Sequence, residues 1–239
     1  GLLPSNVTAT GEAFFRGANL LDRGTSPPRG TGIGLIFQEP MTALTPVLTI
    51  GMQLTEAMIV HGLADPQEAR ARAIQMLDRV GIPNPKQRMR QYPHELSGGM
   101  RQRVMIAIMM LLEPDILIAD EPTTALDVTV QAQILDLLRD IVRDTNVGLI
   151  LITHDLGVVA GMADRIVVMY GGEVVEAGTC DAVLARPPHP YTAGLMRSIP
   201  VPRETPRGET LRRLPGGLPR PTGALTPCRP LAPLPLPLS

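Results

Sequence analysis

Two short stretches place groups that could handle a phosphate. In Leu96-Ser97-Gly98-Gly99-Met100-Arg101-Gln102-Arg103 a Ser-Gly-Gly turn opens a helix-forming run. Such a turn leaves backbone N–H groups pointing outward beside the positive helix end, a ready site for phosphate. After an apolar run, Ile116-Leu117-Ile118-Ala119-Asp120-Glu121 reads as a buried strand that delivers two adjacent carboxylates to its carboxyl end. Open α/β sheets bind ligands at that end. A Ser-Gly-Gly by itself is most often only a turn, so its weight comes from the strand and the two acids at a sensible distance. Two more polar residues stand at apolar tips. Gln38 follows Ile36-Phe37, and His154, between Thr153 and Asp155, follows Leu149-Ile150-Leu151-Ile152. Taken alone, neither is informative, because a lone His is more often structural than catalytic.

The elements that must position these groups can be read along the chain. Residues 11–21 suit a hairpin-like edge of a small sheet, and residues 33–37 a short apolar strand. A helical pattern covers residues 50–61. Residues 65–80 form a second helix, with Asp then Pro at its start, Ile74, Leu77 and Val80 at three-residue spacing, and Gly81 as its stop. Residues 82–92 are polar with two prolines and read as a surface connection, with Lys86 a solvated loop residue. Helix resumes over 98–112. A further helix from Val128 to about Arg143 places Val130, Ile134, Leu137, Leu138 and Ile141 on one face. Residues 149–152 read as a fully buried strand, followed by a short helix, two strands over 166–170 and 174–176, and a helical turn over 181–186. Alternating strands and helices predict a mostly parallel sheet covered on both faces.

Composition sets the bounds. The 239 residues are 44% hydrophobic, enough for a genuine core. The formal net charge of −1 offers no basic field for nucleic acid. The two cysteines, Cys180 and Cys228, are too few for a disulfide framework and fit a reducing compartment. The apolar run over 104–112 is too short to span a bilayer, so the expectation is a soluble or peripheral protein. Lys86 is the single lysine, and its Pro-Lys-Gln setting cannot be a phosphate-binding P-loop, which needs Gly-rich backbone, Lys and then Ser or Thr. From about residue 202 proline recurs, favouring extended conformers over a packed fold. Residues 202–239 are accordingly expected to form a disordered Pro-rich tail.

The Ser97 turn and the acid-tipped strand resemble the signature motif and the Walker B strand of ATP-binding cassette (ABC) ATPases, and the resemblance covers about residues 11–201. Phe37-Gln38-Glu39-Pro40-Met41-Thr42, Pro93-His94-Glu95, Thr124-Ala125-Leu126-Asp127-Val128-Thr129-Val130-Gln131 and His189-Pro190-Tyr191-Thr192 narrow it to the ATP-binding subunits of bacterial dipeptide, oligopeptide and nickel importers. The resemblance implies an α/β, P-loop NTPase-like core within residues 1–201, with a helical subdomain at about 50–112. It also implies ATP and Mg2+ as cofactors. Asp120 would be the magnesium-side acid and Glu121 the general base that polarises the attacking water. His154 would contact the γ-phosphate, and Gln38, the Q-loop glutamine, would touch magnesium or its water. Ser97, Gly98 and Gly99 would bind ATP held by a second ABC ATPase subunit, identical or not, in a head-to-tail dimer, with Asp127 in the D-loop crossing the interface. Arg101 and Arg103 read as helix-face charges. Two transmembrane permease subunits and, indirectly, an extracytoplasmic solute-binding protein would complete the assembly, on the cytoplasmic face of the bacterial plasma membrane.

Departures from the family set further expectations. Walker A and the adenine-stacking aromatic would lie upstream of Gly1, so an N-terminally truncated chain, inactive alone and prone to aggregate through an exposed strand edge, is expected. Ala43 and Thr45 stand where the subfamily usually has Ser and Asn. Cys228 stands alone in a region where relatives can hold a four-cysteine cluster, so no iron–sulfur cluster is expected. The alternative reading is a non-catalytic subunit that lends its signature motif to a P-loop-bearing partner. A soluble ABC protein acting on DNA or ribosomes fits less well, since the charge balance gives no nucleic-acid footprint.

Overall fold

The computed structural model describes residues 8–22, 30–39, 43–124 and 126–198. The chain divides into two compact units at the Ile152/Thr153 bond. The sequence expectations for residues 40–42, for Ala125 and for 199–239 lie outside the described residues.

The first unit is built on a parallel sheet. Strands β3 (Ile33–Ile36), β4 (Ile116–Asp120) and β5 (Gly148–Ile152) lie side by side in that order. Register pairs Leu35 with Ile118 and Ile118 with Ile150, so these three side chains share one face, together with Asp120 and Ile152. The other face carries Ile36, Leu117 and Ala119, all fully buried. Parallel strands need long crossovers, and helices supply them. Upstream, β1 (Phe14–Phe15) and β2 (Ala18–Asn19) form the small antiparallel hairpin that the sequence predicts.

Between β3 and β4 the chain runs through helices. Helix α1 (Ile50–Val60) buries Ile50, Leu54 and Met58, and α2 (Pro66–Arg79) buries Ala69, Ala73 and Leu77. Asp65 starts α2 by accepting from the backbone N–H groups of Gln67 and Glu68 at 2.8 and 2.9 Å, satisfying two of the helix's open donors. A short helix, α3 (Pro85–Arg88), follows. The next long helix, α4 (Gly98–Leu111), packs against α1, α2 and β3. After β4, α5 (Val128–Asp144) buries Ile134, Leu138 and Ile141 and packs against α4.

Three sequence expectations need correction. Residues 82–92 are not merely a surface connection: Ile82 and Met89 are buried, and Lys86, though exposed, lies in α3. Two apolar residues among polar ones show no period, yet each plugs the helical layer. Strand β5 is not fully buried, since Ile150 and Ile152 are 51% and 48% exposed. The sheet is accordingly covered on one face only among the described residues. An apolar run looks the same in sequence whether one face or both are covered.

The second unit pairs β6 (Arg165–Tyr170) with β7 (Glu173–Thr179) as an antiparallel hairpin. Helix α6 (Leu156–Met162) precedes it, and α7 (Cys180–Ala185) and α8 (Pro190–Arg197) follow. Its core gathers Ile166, Val168, Cys180 and Val183, with Val159 and Tyr191 packed beside them. The His-Pro-Tyr-Thr phrase is the start of α8. His189 caps it through Nδ1, Pro190 takes the first turn, Tyr191 packs on Tyr170 at 4.5 Å between ring centres, and Thr192 is buried.

Candidate functional site

The parallel sheet turns its carboxyl edge into a shelf for polar groups. Asp120 ends β4, half-buried, and Glu121 follows with φ 43°, a left-handed conformation that non-glycine residues rarely hold. Its backbone N–H donates to the Ile152 carbonyl at the end of β5, 2.9 Å away, so the turn continues the sheet by one more bond. Pro122 then occupies the first central position of a turn closed by the Thr124 N–H on the Glu121 carbonyl at 3.1 Å.

Two donors converge on one oxygen of the Glu121 side chain. Gln38, two residues beyond β3, donates from Nε2 to Oε2 at 3.0 Å, and the Thr124 hydroxyl donates to the same Oε2 at 2.8 Å. Gln38 is exposed and Thr124 half-buried. The structure therefore brings Gln38, Asp120 and Glu121 together from strands β3 and β4. Thr124 is a participant with only a weak signal in the sequence: a hydroxyl three residues after an acid across a Pro-containing turn.

The Ser97 turn starts α4 as the residues predict. Ser97 Oγ accepts from the Met100 N–H at 3.3 Å, and Ser97 is exposed while Gly98 and Gly99 are half-buried. Asp127 does the same for α5, accepting from the Val130 N–H at 2.9 Å. The two helix starts touch. A Cβ on Gly99 would lie 2.5 Å from Val130 Cγ1, whereas one on Gly98 would meet Leu126 Cδ2 at an ordinary 3.4 Å. Arg101 and Arg103 are not plain helix-face charges. Arg101 Nε donates to the Leu96 carbonyl at 2.9 Å, and Arg103 reaches the Val80 carbonyl at 2.6 Å and Gln133 Oε1 at 3.0 Å. Partial burial lowers the pKa of Arg103 from its usual value. His154 belongs to the second unit. It is exposed in the turn before α6, where Asp155 donates its N–H to Thr153 Oγ1 at 3.1 Å.

Asp120 and Gln38 carry oxygen donors of the hard type that magnesium takes. Both stand at one sheet edge, and no group of three or more His, Cys, Asp or Glu that could cage a metal exists among the described residues. Magnesium takes few ligands from protein and keeps waters and substrate phosphates as the rest. A cavity of about 570 Å³ lined by Arg79, Glu113, Asp115 and Val147 lies instead where β4 and β5 begin, at the sheet's amino end. Ligands of open α/β sheets sit at the carboxyl end, which favours the Glu121 shelf. No described helix is long and apolar enough to cross a membrane.

Comparison with known proteins bears on the family and the fold. The family model described as "ABC transporter" matches residues 2–124, and that described as "Oligopeptide/dipeptide transporter, C-terminal region" matches residues 175–229. The second match extends beyond residue 201, the end of the span over which the motifs resemble the family. The dipeptide transport ATP-binding protein DppD of Bacillus subtilis is 53% identical over 205 residues, 84% of this chain and 61% of that protein. The oligopeptide transport ATP-binding protein OppD of Haemophilus influenzae is 50% identical over 222 residues, 92% of this chain and 68% of that protein. This chain spans about three fifths of the length of DppD and of the Bacillus subtilis OppD. Among solved structures, the dimeric post-hydrolysis state of the ATP-binding cassette MJ0796 bound to ADP and Pi matches with a TM-score of 0.62 at 28% identity, covering 72% of this chain and 74% of that one. CbiO1 of Clostridium perfringens, part of the transporter complex cbiONQ, matches with a TM-score of 0.57 at 31% identity, covering 65% and 60%.

Proposed function

The chain belongs to the ABC transporter family, and from that premise we propose that it acts as the ATP-hydrolysing motor of an importer for dipeptides or oligopeptides. The observation that carries the reading is the Glu121 carboxylate, held at the carboxyl edge of the parallel sheet by Gln38 and Thr124. A carboxylate fixed there is suited to serve as general base toward an attacking water. Asp120 and Gln38 would hold magnesium, which when bound neutralises charge on the phosphates. His154 would contact the γ-phosphate. Ser97, Gly98 and Gly99 would present the start of α4 to ATP carried by a second ATPase subunit, with Asp127 beside them at the dimer interface. Support for the dimer comes from the two touching helix starts, exposed at Ser97, and from the dimeric cassette among the structural neighbours.

The names of the related proteins support a peptide as cargo. Two permease subunits and a separate binding protein would carry out the passage itself, with this chain docked on the cytoplasmic side. The test is ATPase activity and ATP binding of the assembled transporter with Glu121→Gln. Loss of a general base is expected to lower turnover by about 10²- to 10⁴-fold while ATP remains bound. Turnover that survives the substitution would remove Glu121 from the chemistry and leave only a signature-lending role.

A further inference from the structure

We propose that Thr124 is the positioning residue that aims the Glu121 carboxylate, and that it does so independently of Gln38; this rests on the reading of Glu121 as the general base. Glu121 presents a flexible side chain from a backbone held at φ 43°. A carboxylate on such a stem needs an anchor if it is to meet a water in one orientation. Gln38 and Thr124 both donate to Oε2, yet they differ in kind. Gln38 reaches from an exposed segment 83 residues upstream, on a side chain with several rotatable bonds.

Thr124 is local, half-buried and β-branched, so its χ1 is stiff. Its turn is tied at both ends. The Thr124 N–H closes on the Glu121 carbonyl at 3.1 Å, and Gln131 Nε2 on α5 donates to the Thr123 carbonyl at 3.0 Å. The Asp127 cap fixes the start of α5, the helix from which Gln131 reaches. The hydroxyl is therefore delivered by a rigid turn braced against a helix, and its 2.8 Å bond to a carboxylate is of the short, charge-assisted kind. Gln38 can donate from Nε2 while its Oε1 faces a metal, but it does so at the end of a long side chain. The Thr124 hydroxyl sits on a single stiff torsion, which makes it the better-fixed anchor for the aim of Glu121.

The experiment uses the assembled transporter with Thr124→Val, which keeps the shape and removes the hydroxyl, and Thr124→Ser, which restores it. In nucleotide-free crystals, Thr124→Val is expected to show the Glu121 carboxylate turned from its wild-type rotamer, and Thr124→Ser to show it in place. The kcat of Thr124→Val should fall roughly 10- to 100-fold, the scale of a misplaced catalytic group. The KM for ATP and the unfolding midpoint should be unchanged, Ser should recover kcat to within about threefold, and adding Thr124→Val to Glu121→Gln should cost nothing more. A wild-type rotamer with wild-type kcat in Thr124→Val overturns the proposal. So does a parallel loss of kcat, KM and stability that Ser does not rescue, since that is a merely structural role. Failure of the base reading is distinguishable: Glu121→Gln would retain turnover whatever Thr124 does.

Discussion

Gly98 and Gly99 are adjacent and alike in sequence, and the fold asks different things of them. At Gly99 a Cβ would stand 2.5 Å from Val130 Cγ1, a side chain with no room to swing because it is β-branched and sits in the first turn of α5. Gly99→Ala is therefore expected to destabilise the chain by about 1–3 kcal/mol, the usual cost of overpacking. Val130→Ala should relieve much of it in the double variant, because the two sites share one contact. Urea unfolding of the four proteins measures the cycle, and an additive result would mean that the helix starts do not press on each other. At Gly98 the nearest atom is an ordinary 3.4 Å away, so Gly98→Ala should be neutral or slightly stabilising. If Gly98→Ala nevertheless weakens ATP-dependent dimerisation, the glycine is there for what approaches from outside. Residue types alone could not separate the two positions, because the partner of Gly99 lies 31 residues away.

At the scale of elements, the helices are legible because their signals are local. Asp65-Pro66 announces α2 by supplying a cap acceptor and a ready φ, and Gly81, at φ 74°, follows its end. Asp65→Ala removes the acceptor for two backbone N–H groups and is expected to cost about 1 kcal/mol. The loss is to be read as a lower unfolding midpoint with an unchanged m-value. Asp65→Asn should keep most of the stability, and a full loss with Asn would point to charge rather than capping. What the sequence hides at this scale is long-range. Met89 backs onto α1 so closely that a Cβ on Gly51 would meet the Met89 carbonyl oxygen at 2.6 Å, yet Met89 sits in a polar stretch with no period. Arg103 looks like a solvated charge on α4 until its guanidinium is seen spanning Val80 and Gln133. The candidate site divides the same way. Asp120 and Glu121 are announced by a strand that ends in acids, Gln38 gains meaning only when register brings β3 beside β4, and Thr124 gains it only when the turn closes.

At the scale of the molecule, the parallel sheet of the first unit has two unlike faces. One carries Ile36, Leu117 and Ala119, fully buried beneath helices; the other carries Leu35, Ile118, Ile150 and Ile152, the last two about half exposed. Strand β5 pairs with β4 and with no other described strand, and it carries the exposed isoleucines. Exposed apolar strands at a sheet edge invite pairing with another chain. The chain studied by itself is therefore expected to self-associate through β5. The double variant Ile150→Thr, Ile152→Thr keeps β-branched residues in the strand, so strand propensity is preserved while apolar surface is removed. Light scattering of this variant should fall toward that of a monomer, with an unfolding free energy within about 0.5 kcal/mol of the parent, as for other surface changes. Leu117→Thr, on the opposite face, should do the reverse, lowering stability by about 2 kcal/mol or more through a buried hydroxyl and lost packing and leaving more material associated. If the double variant scatters as much as the parent, association runs through some other surface and the open face is not what drives it.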